Sequence, residues 1–201
     1  MKTFLKYLKT PYFLWIIFCI PLINIIRIGM SIPLETKDFK LITHISGEFG
    51  ARLLIVTLMI APLGIFFKGK IHKWFIKNKK HFGLAAFGYS LIHLIAYLLY
   101  TTFDEALWEM TDPEYLTGWL AFIIMLPLTL TSTHYAVKVM GGRKWKMLHR
   151  SVYACAVLTA LHWLLVSHNP SSAILHFTPL VILESIRIYR ELSGKNKHHG
   201  H

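Results

Sequence analysis

HFGLAAFGYSLIHLIAYLLY, residues 81–100, decides the fold. These twenty residues contain no Asp, Glu, Lys or Arg. At about 1.5 Å per residue they reach across a hydrocarbon layer of about 30 Å. An imidazole, His93, sits in the middle of the run. Ionisable groups inside a membrane span are costly and mark function.

Five further apolar runs flank this one, at 11–30, 49–67, 116–135, 148–166 and 172–189. The last carries Pro179 and Glu184. Across 201 residues, 54% are hydrophobic, 16% are charged and the mean hydropathy is +0.47. A soluble core of this size does not need so much apolar surface, whereas a bilayer does. The expected architecture is an all-α integral membrane protein, a bundle of six transmembrane helices over residues 11–189. A short N-terminus (1–10) and a disordered tail (190–201) flank it. Lys2, Lys6 and Lys9 precede the first run as in a signal peptide. Pro21 and Asn24 interrupt that run and no small-residue cleavage site follows, so it reads as an uncleaved helix.

The loops give the orientation. The loop after the second run carries Lys68, Lys70, Lys73, Lys77, Lys79 and Lys80 with no acid. The loop after the fourth carries Lys138, Arg143, Lys144 and Lys146, and the tail Arg190, Lys195 and Lys197. The third loop is the opposite, with Asp104, Glu105, Glu109, Asp112 and Glu114 and no base. Basic loops stay cytoplasmic, so six spans place both termini in the cytoplasm. The net charge of +12 is thus a topology signal, and nucleic acid is excluded as a partner because the bases form no patch apart from apolar runs. The basic loops meet anionic lipid or dock an acidic donor.

Cys19 and Cys155 lie far apart within apolar runs and form no metal motif. The chemistry rests with histidine. From His81 to His93 a helix rises about 18 Å, and from His149 to His162 about 20 Å. His93 and His162 therefore fall at one depth in the outer half, and His81 and His149 at another near the cytoplasmic face. Two imidazoles at one depth on facing helices can take both axial positions of a haem iron. A turn of about 120° around the helix separates His81 from His93, which favours a structural role for His81, but His149 and His162 differ by about 140°, so rotation alone leaves His81 open as a haem-binding residue. Arg52 follows Glu48 by four residues. It reads as half of an ion pair or as a partner for a haem propionate.

At these residues the chain resembles the MsrQ (YedZ) family, the haem-binding membrane subunits of methionine sulfoxide reductase systems. More broadly it is similar to the ferric reductase and NADPH oxidase transmembrane domain. The stretches that carry the likeness are His44-Ile45-Ser46-Gly47, Ala61-Pro62-Leu63, and Phe82 to Tyr89 leading to Leu91-Ile92-His93-Leu94. They continue with Pro127 to Thr133, Trp145 to Tyr153 and Leu161-His162. The resemblance implies haem b, one or two per chain, with His93, His149 and His162 as iron ligands, and leaves His81 without a family counterpart. It implies electrons taken from a cytoplasmic flavin reductase or from quinol and passed to a periplasmic molybdopterin reductase, at the bacterial inner membrane. FMN is implied by the resemblance alone, as no flavin motif is legible.

No G-x-G-x-x-G follows a strand, and barely a dozen polar residues follow Tyr189. The expectation is an electron-transfer subunit without a terminal catalytic site, dependent on a donor and an acceptor. Two rivals remain on sequence alone. One is a stand-alone ferric reductase or oxidase-like haem protein. The other is a transporter using its intramembrane histidines for a metal ion or protons.

Overall fold

The structure, a computed structural model, describes residues 11–31, 33–167 and 169–198, with side chains to Ser193. The expected N-terminal segment 1–10, His168 and the end of the tail lie outside the described residues. Every regular element among the described residues is helical. In chain order these are α1 (Pro11–Gly29), α2 (Thr36–Met59), a 3-10 turn (Pro62–Ile65), α3 (Lys70–Tyr100) and α4 (Phe103–Glu109). They continue with α5 (Pro113–Leu130), α6 (His134–Met140), α7 (Gly142–His149), α8 (Val152–Val166) and α9 (Pro170–His198). Five helices are long and apolar enough to cross a membrane: α1, α2 with its 3-10 turn, α3, α5 and α9.

The fifth expected run, 148–166, is divided. α7 ends at His149 and α8, at 15 residues, covers about 22 Å. The Ser151 hydroxyl donates to the Leu148 carbonyl at 2.8 Å, which closes a turn between the two. α8 still exposes Val157, Leu161 and Leu165 along one side, as α1 exposes Ile16, Ile20 and Ile23. Such outward apolar stripes are what a bilayer covers.

Other boundaries move for local reasons. α2 starts at Thr36 rather than 49, because the Asp38 carboxylate accepts from the Glu35 backbone N–H at 2.9 Å and caps the polar first turns. His44 therefore lies on a helix and not in a loop. α3 starts at Lys70 rather than 81, so His72 is also helical and His81 stands well inside the helix. α5 ends at Leu130 rather than 135. There the Thr131 and Ser132 hydroxyls turn back onto the Pro127 and Leu128 carbonyls, at 2.6 and 2.7 Å, while Thr133 caps α6. α9 continues to His198, past Tyr189.

Two antiparallel helix pairs frame the molecule. Gly47, Gly50 and Gly83 face His93, Ser90 and Thr57 respectively, so α2 runs against α3. Gly118 faces His162 and the Ala121 carbonyl faces the Cys155 thiol, so α5 runs against α8. α9 leans on α2 and α8, and α1 on α2 and α3. The Tyr89 hydroxyl, donating to the Phe18 carbonyl at 2.6 Å, pins α1 in place. The core sits where the pairs meet α9: Leu54, Ile55, Leu58, Ala86, Met125, Cys155, Phe177 and Leu180. Fully burying a side chain of Leu or Phe size contributes about 1.5–3 kcal/mol where water is the alternative. In a lipid layer that driving force is replaced by close packing, which the small residues Ala86, Cys155 and Ala156 permit.

Candidate functional site

Between the two helix pairs, on the acidic-loop side of this core, lies a cavity of about 710 Å³. Its wall is mainly apolar: Leu54, Ala121, Phe122 and Met125 form the inner end. The outer end carries Lys40, His44, Tyr97, Tyr100, Tyr115 and Asn169. His93 from α3 and His162 from α8 project into the middle.

The two imidazoles lie with centroids 6.0 Å apart and planes at 87°. That separation matches two ring nitrogens sharing one metal through bonds of about 2 Å each. The depth match read from the spacing is therefore realised as a contact. His93 Nδ1 donates to the Thr43 carbonyl at 2.8 Å, and His162 Nδ1 donates to the Glu114 carbonyl at 2.6 Å. A carbonyl can only accept, so each Nδ1 carries the proton and each Nε2 keeps its lone pair. This is the tautomer a metal-bound histidine uses, with a backbone carbonyl as its outer partner. Among the described residues, no three His, Cys, Asp or Glu side chains gather closely enough to hold a bare ion. A pair of neutral imidazoles in a large apolar slot suits a group that brings its own equatorial ligands, as haem does.

The inner pair expected from spacing is not brought together in this way. His81 packs edge-on against Trp15 of α1, centroids 5.9 Å apart, and its buried Nδ1 has no hydrogen-bond partner. His149 stacks on Trp145 at 3.9 Å and contacts Thr131 through Nε2. Neither lines the cavity. Arg52 does not line it either. Its guanidinium meets the Glu48 carboxylate at 2.6 Å and its Nε donates to His176 Nε2 at 3.2 Å. His176 Nδ1 donates to the Ser172 carbonyl at 2.7 Å. Glu48 is a lining residue, so Arg52 acts on the cavity through it.

Sequence reasoning missed Lys40, His176 and the tyrosines at the outer end, and named Glu48 only as the ion-pair partner of Arg52, which it is. Lys40 lies 5.7 Å from the Tyr100 ring centroid, and the Tyr97 hydroxyl donates to the Glu109 carboxylate. Tyr97 and Tyr100, three apart at the end of α3, offered a signal as a paired aromatic rim. His176 offered none, because its partner Arg52 lies far away in sequence.

The ferric reductase like transmembrane component family matches residues 46–160 of the chain. The protein-methionine-sulfoxide reductase heme-binding subunit MsrQ of Azospira oryzae is 34% identical over 140 residues, covering 67% of this chain and 58% of that protein. MsrQ of Herminiimonas arsenicoxydans is 30% identical over 171 residues, 82% of this chain and 77% of that protein. MsrQ of Ralstonia nicotianae is 29% identical over 153 residues, 74% and 69% of the two chains. No solved structure matches. The apolar exterior, the spanning helices and these relatives agree: this is a multi-pass bacterial membrane protein that belongs to the ferric reductase-like transmembrane family and, within it, to the MsrQ subunits.

Proposed function

We propose that the chain is a haem b electron-carrying subunit, in which His93 and His162 would hold the iron of a haem in the cavity. One observation carries this reading. Two histidines on different helix pairs both spend Nδ1–H on a backbone carbonyl and meet across one apolar slot. Bound haem supplies a one-electron iron couple whose potential follows from axial ligands, burial and nearby hydrogen bonds.

The chain's own residues do the rest. The carbonyls of Thr43 and Glu114 orient the imidazoles and raise their basicity as ligands. Leu54, Ala121, Phe122 and Met125 keep water from the inner end. Lys40 and His44 at the outer end are positioned to meet propionates, while Arg52 neutralises the Glu48 carboxylate that would otherwise repel them. α8 serves as the sixth span, which puts both termini in the cytoplasm and opens the cavity towards the periplasm. Electrons then enter at the basic end from a flavin reductase or quinol. They leave at the acidic end to a periplasmic molybdopterin methionine sulfoxide reductase. A second haem at His149, and FMN, belong to this proposal as extensions that rest on family likeness.

The test is pyridine haemochrome quantification on purified wild type, His93→Ala, His162→Ala and His81→Ala. The first two variants lose the low-spin haem and His81→Ala retains it. Wild-type haem content in both His93→Ala and His162→Ala would falsify the axial pair.

A further inference from the structure

The two cavity histidines are seated in the same way, on different helices. Thr43, Ser46 and Gly47 of α2 stand to His93 as Glu114, Thr117 and Gly118 of α5 stand to His162. In each seat the imidazole Nδ1 bonds the first residue's carbonyl. The hydroxyl three residues on lies beside that carbonyl, Ser46 Oγ 3.2 Å from the Thr43 oxygen and Thr117 Oγ1 3.0 Å from the Glu114 oxygen, while its shorter bond goes one residue back, to Ile42 at 2.6 Å and Pro113 at 2.8 Å. The glycine four residues on leaves the floor open. A Cβ at Gly47 would stand 2.6 Å from His93 Nδ1, and one at Gly118 would stand 2.9 Å from His162 Nδ1 and Cε1. Those contacts are shorter than carbon and nitrogen tolerate, and both neighbours are rings held by a hydrogen bond to a backbone carbonyl.

A third seat shows what the device does without a cavity. His72 Nε2 bonds the Ile60 carbonyl at 2.9 Å, and a Cβ at Gly64, again four residues on, would stand 2.5 Å from His72 Cε1. No hydroxyl accompanies it, since position 63 is Leu. There the ring is turned the other way, donating through Nε2, and it pins the 3-10 turn to α3.

We infer that Gly47 and Gly118 are positioning residues for the iron ligands. Each glycine, four residues after the carbonyl that takes the Nδ1 proton, leaves room for the ring to sit against that carbonyl as the Nδ1–H tautomer, with Nε2 free for the cavity. The inference rests on the haem reading above and adds the residues that set ligand geometry. Glycine also lets membrane helices approach closely, so helix packing alone is the competing account. Gly83 and Gly64 separate the two. Gly83 lies in the same seam between α2 and α3, against Thr57, and Gly64 stands against His72; neither lines the cavity.

The experiment compares Gly47→Ala, Gly118→Ala, Gly83→Ala and Gly64→Ala in detergent-purified full-length protein. It reads haem affinity by titration of haem-depleted protein, the low-spin EPR g values and the midpoint potential. Gly47→Ala and Gly118→Ala weaken haem binding about 10- to 100-fold, the range found for lost outer partners of metal ligands, and shift the EPR signal. Gly83→Ala and Gly64→Ala keep wild-type g values even where thermal stability falls. Equal effects from Gly64→Ala and Gly47→Ala, or wild-type affinity, g values and potential in Gly47→Ala and Gly118→Ala, overturn the inference. Should the alanine variants not insert, 15N NMR of histidine-labelled, haem-depleted wild type reads the tautomers directly. His93 and His162 appear as Nδ1–H tautomers and His72 as Nε2–H; Nε2–H at His93 or His162 refutes the seat. Loss of haem in His93→Ala alongside normal Gly47→Ala sinks only the seat, whereas full haem in His93→Ala sinks the haem reading itself.

Discussion

Trp145 lies flat on His149, ring centroids 3.9 Å apart and planes at 26°, while Thr131 Oγ1 sits 3.0 Å from His149 Nε2. The Thr131 hydroxyl already donates to the Pro127 carbonyl at 2.6 Å, so it accepts from His149, and Nε2 carries the proton. Trp145 Nε1 donates to the Thr131 carbonyl at 2.9 Å and completes the ring of contacts. His149 thus differs from His93 and His162 in this structure: its Nε2 meets a hydroxyl, and the second haem proposed there would need that contact to open.

His149→Ala is accordingly expected to leave the low-spin signal of the His93–His162 haem unchanged. Pyridine haemochrome and EPR on the variant check this. Complete haem loss in His149→Ala would mean that one iron depends on all three histidines.

Arg52 joins α2 to α9 through His176 while balancing Glu48 at the cavity edge. Arg52→Ala leaves a half-buried carboxylate without its cation and His176 Nε2 without its donor. The expected cost is about 1–3 kcal/mol, read as a lower midpoint of thermal unfolding in detergent. Glu48→Gln with Arg52→Ala recovers part of that loss, since the unpaired charge is gone.

His72→Ala removes the pin between α3 and the Ile60 carbonyl. It is expected to lower thermal stability by about 1 kcal/mol, the net worth of one such bond, with the haem spectrum unaltered. A changed Soret maximum in this variant would show that the basic end and the cavity are coupled.

Topology is open to cysteine labelling in a Cys19→Ala background. Glu105→Cys is expected to react with a membrane-impermeant maleimide in intact spheroplasts, and Lys144→Cys only after lysis. Cys155, fully buried, stays unlabelled in both. The opposite pattern at positions 105 and 144 reverses the proposed orientation.

The meeting of His93 and His162 was legible because helix rise converts residue spacing into depth with little error. The helix pairs that bring them together were not. Charges at Lys37, Asp38 and Lys40 read as a loop, whereas capping at Glu35 makes them the start of α2. The run 148–166 looked continuous because Arg150 and Ser151 are too few to break an apolar pattern, yet the Ser151 hydroxyl bond ends the helix there. The glycine seats were invisible for a different reason. Ser46-Gly47 and Thr117-Gly118 are ordinary dipeptides until the imidazole that needs their missing Cβ is known to lie against them. The likeness at His44 to Gly47 flagged the place without its purpose.

The buried layer beneath the cavity, from Leu58 and Ala86 to Cys155 and Phe177, has a bearing on the living cell. Ala86 and Cys155 are 0% exposed and Leu58 2%, so among the described residues the packing is tight at this level. A bacterium stores energy as a proton gradient across its inner membrane. Under the proposed electron path, a bundle packed tightly in its middle carries reducing power outward while opposing the leak of protons.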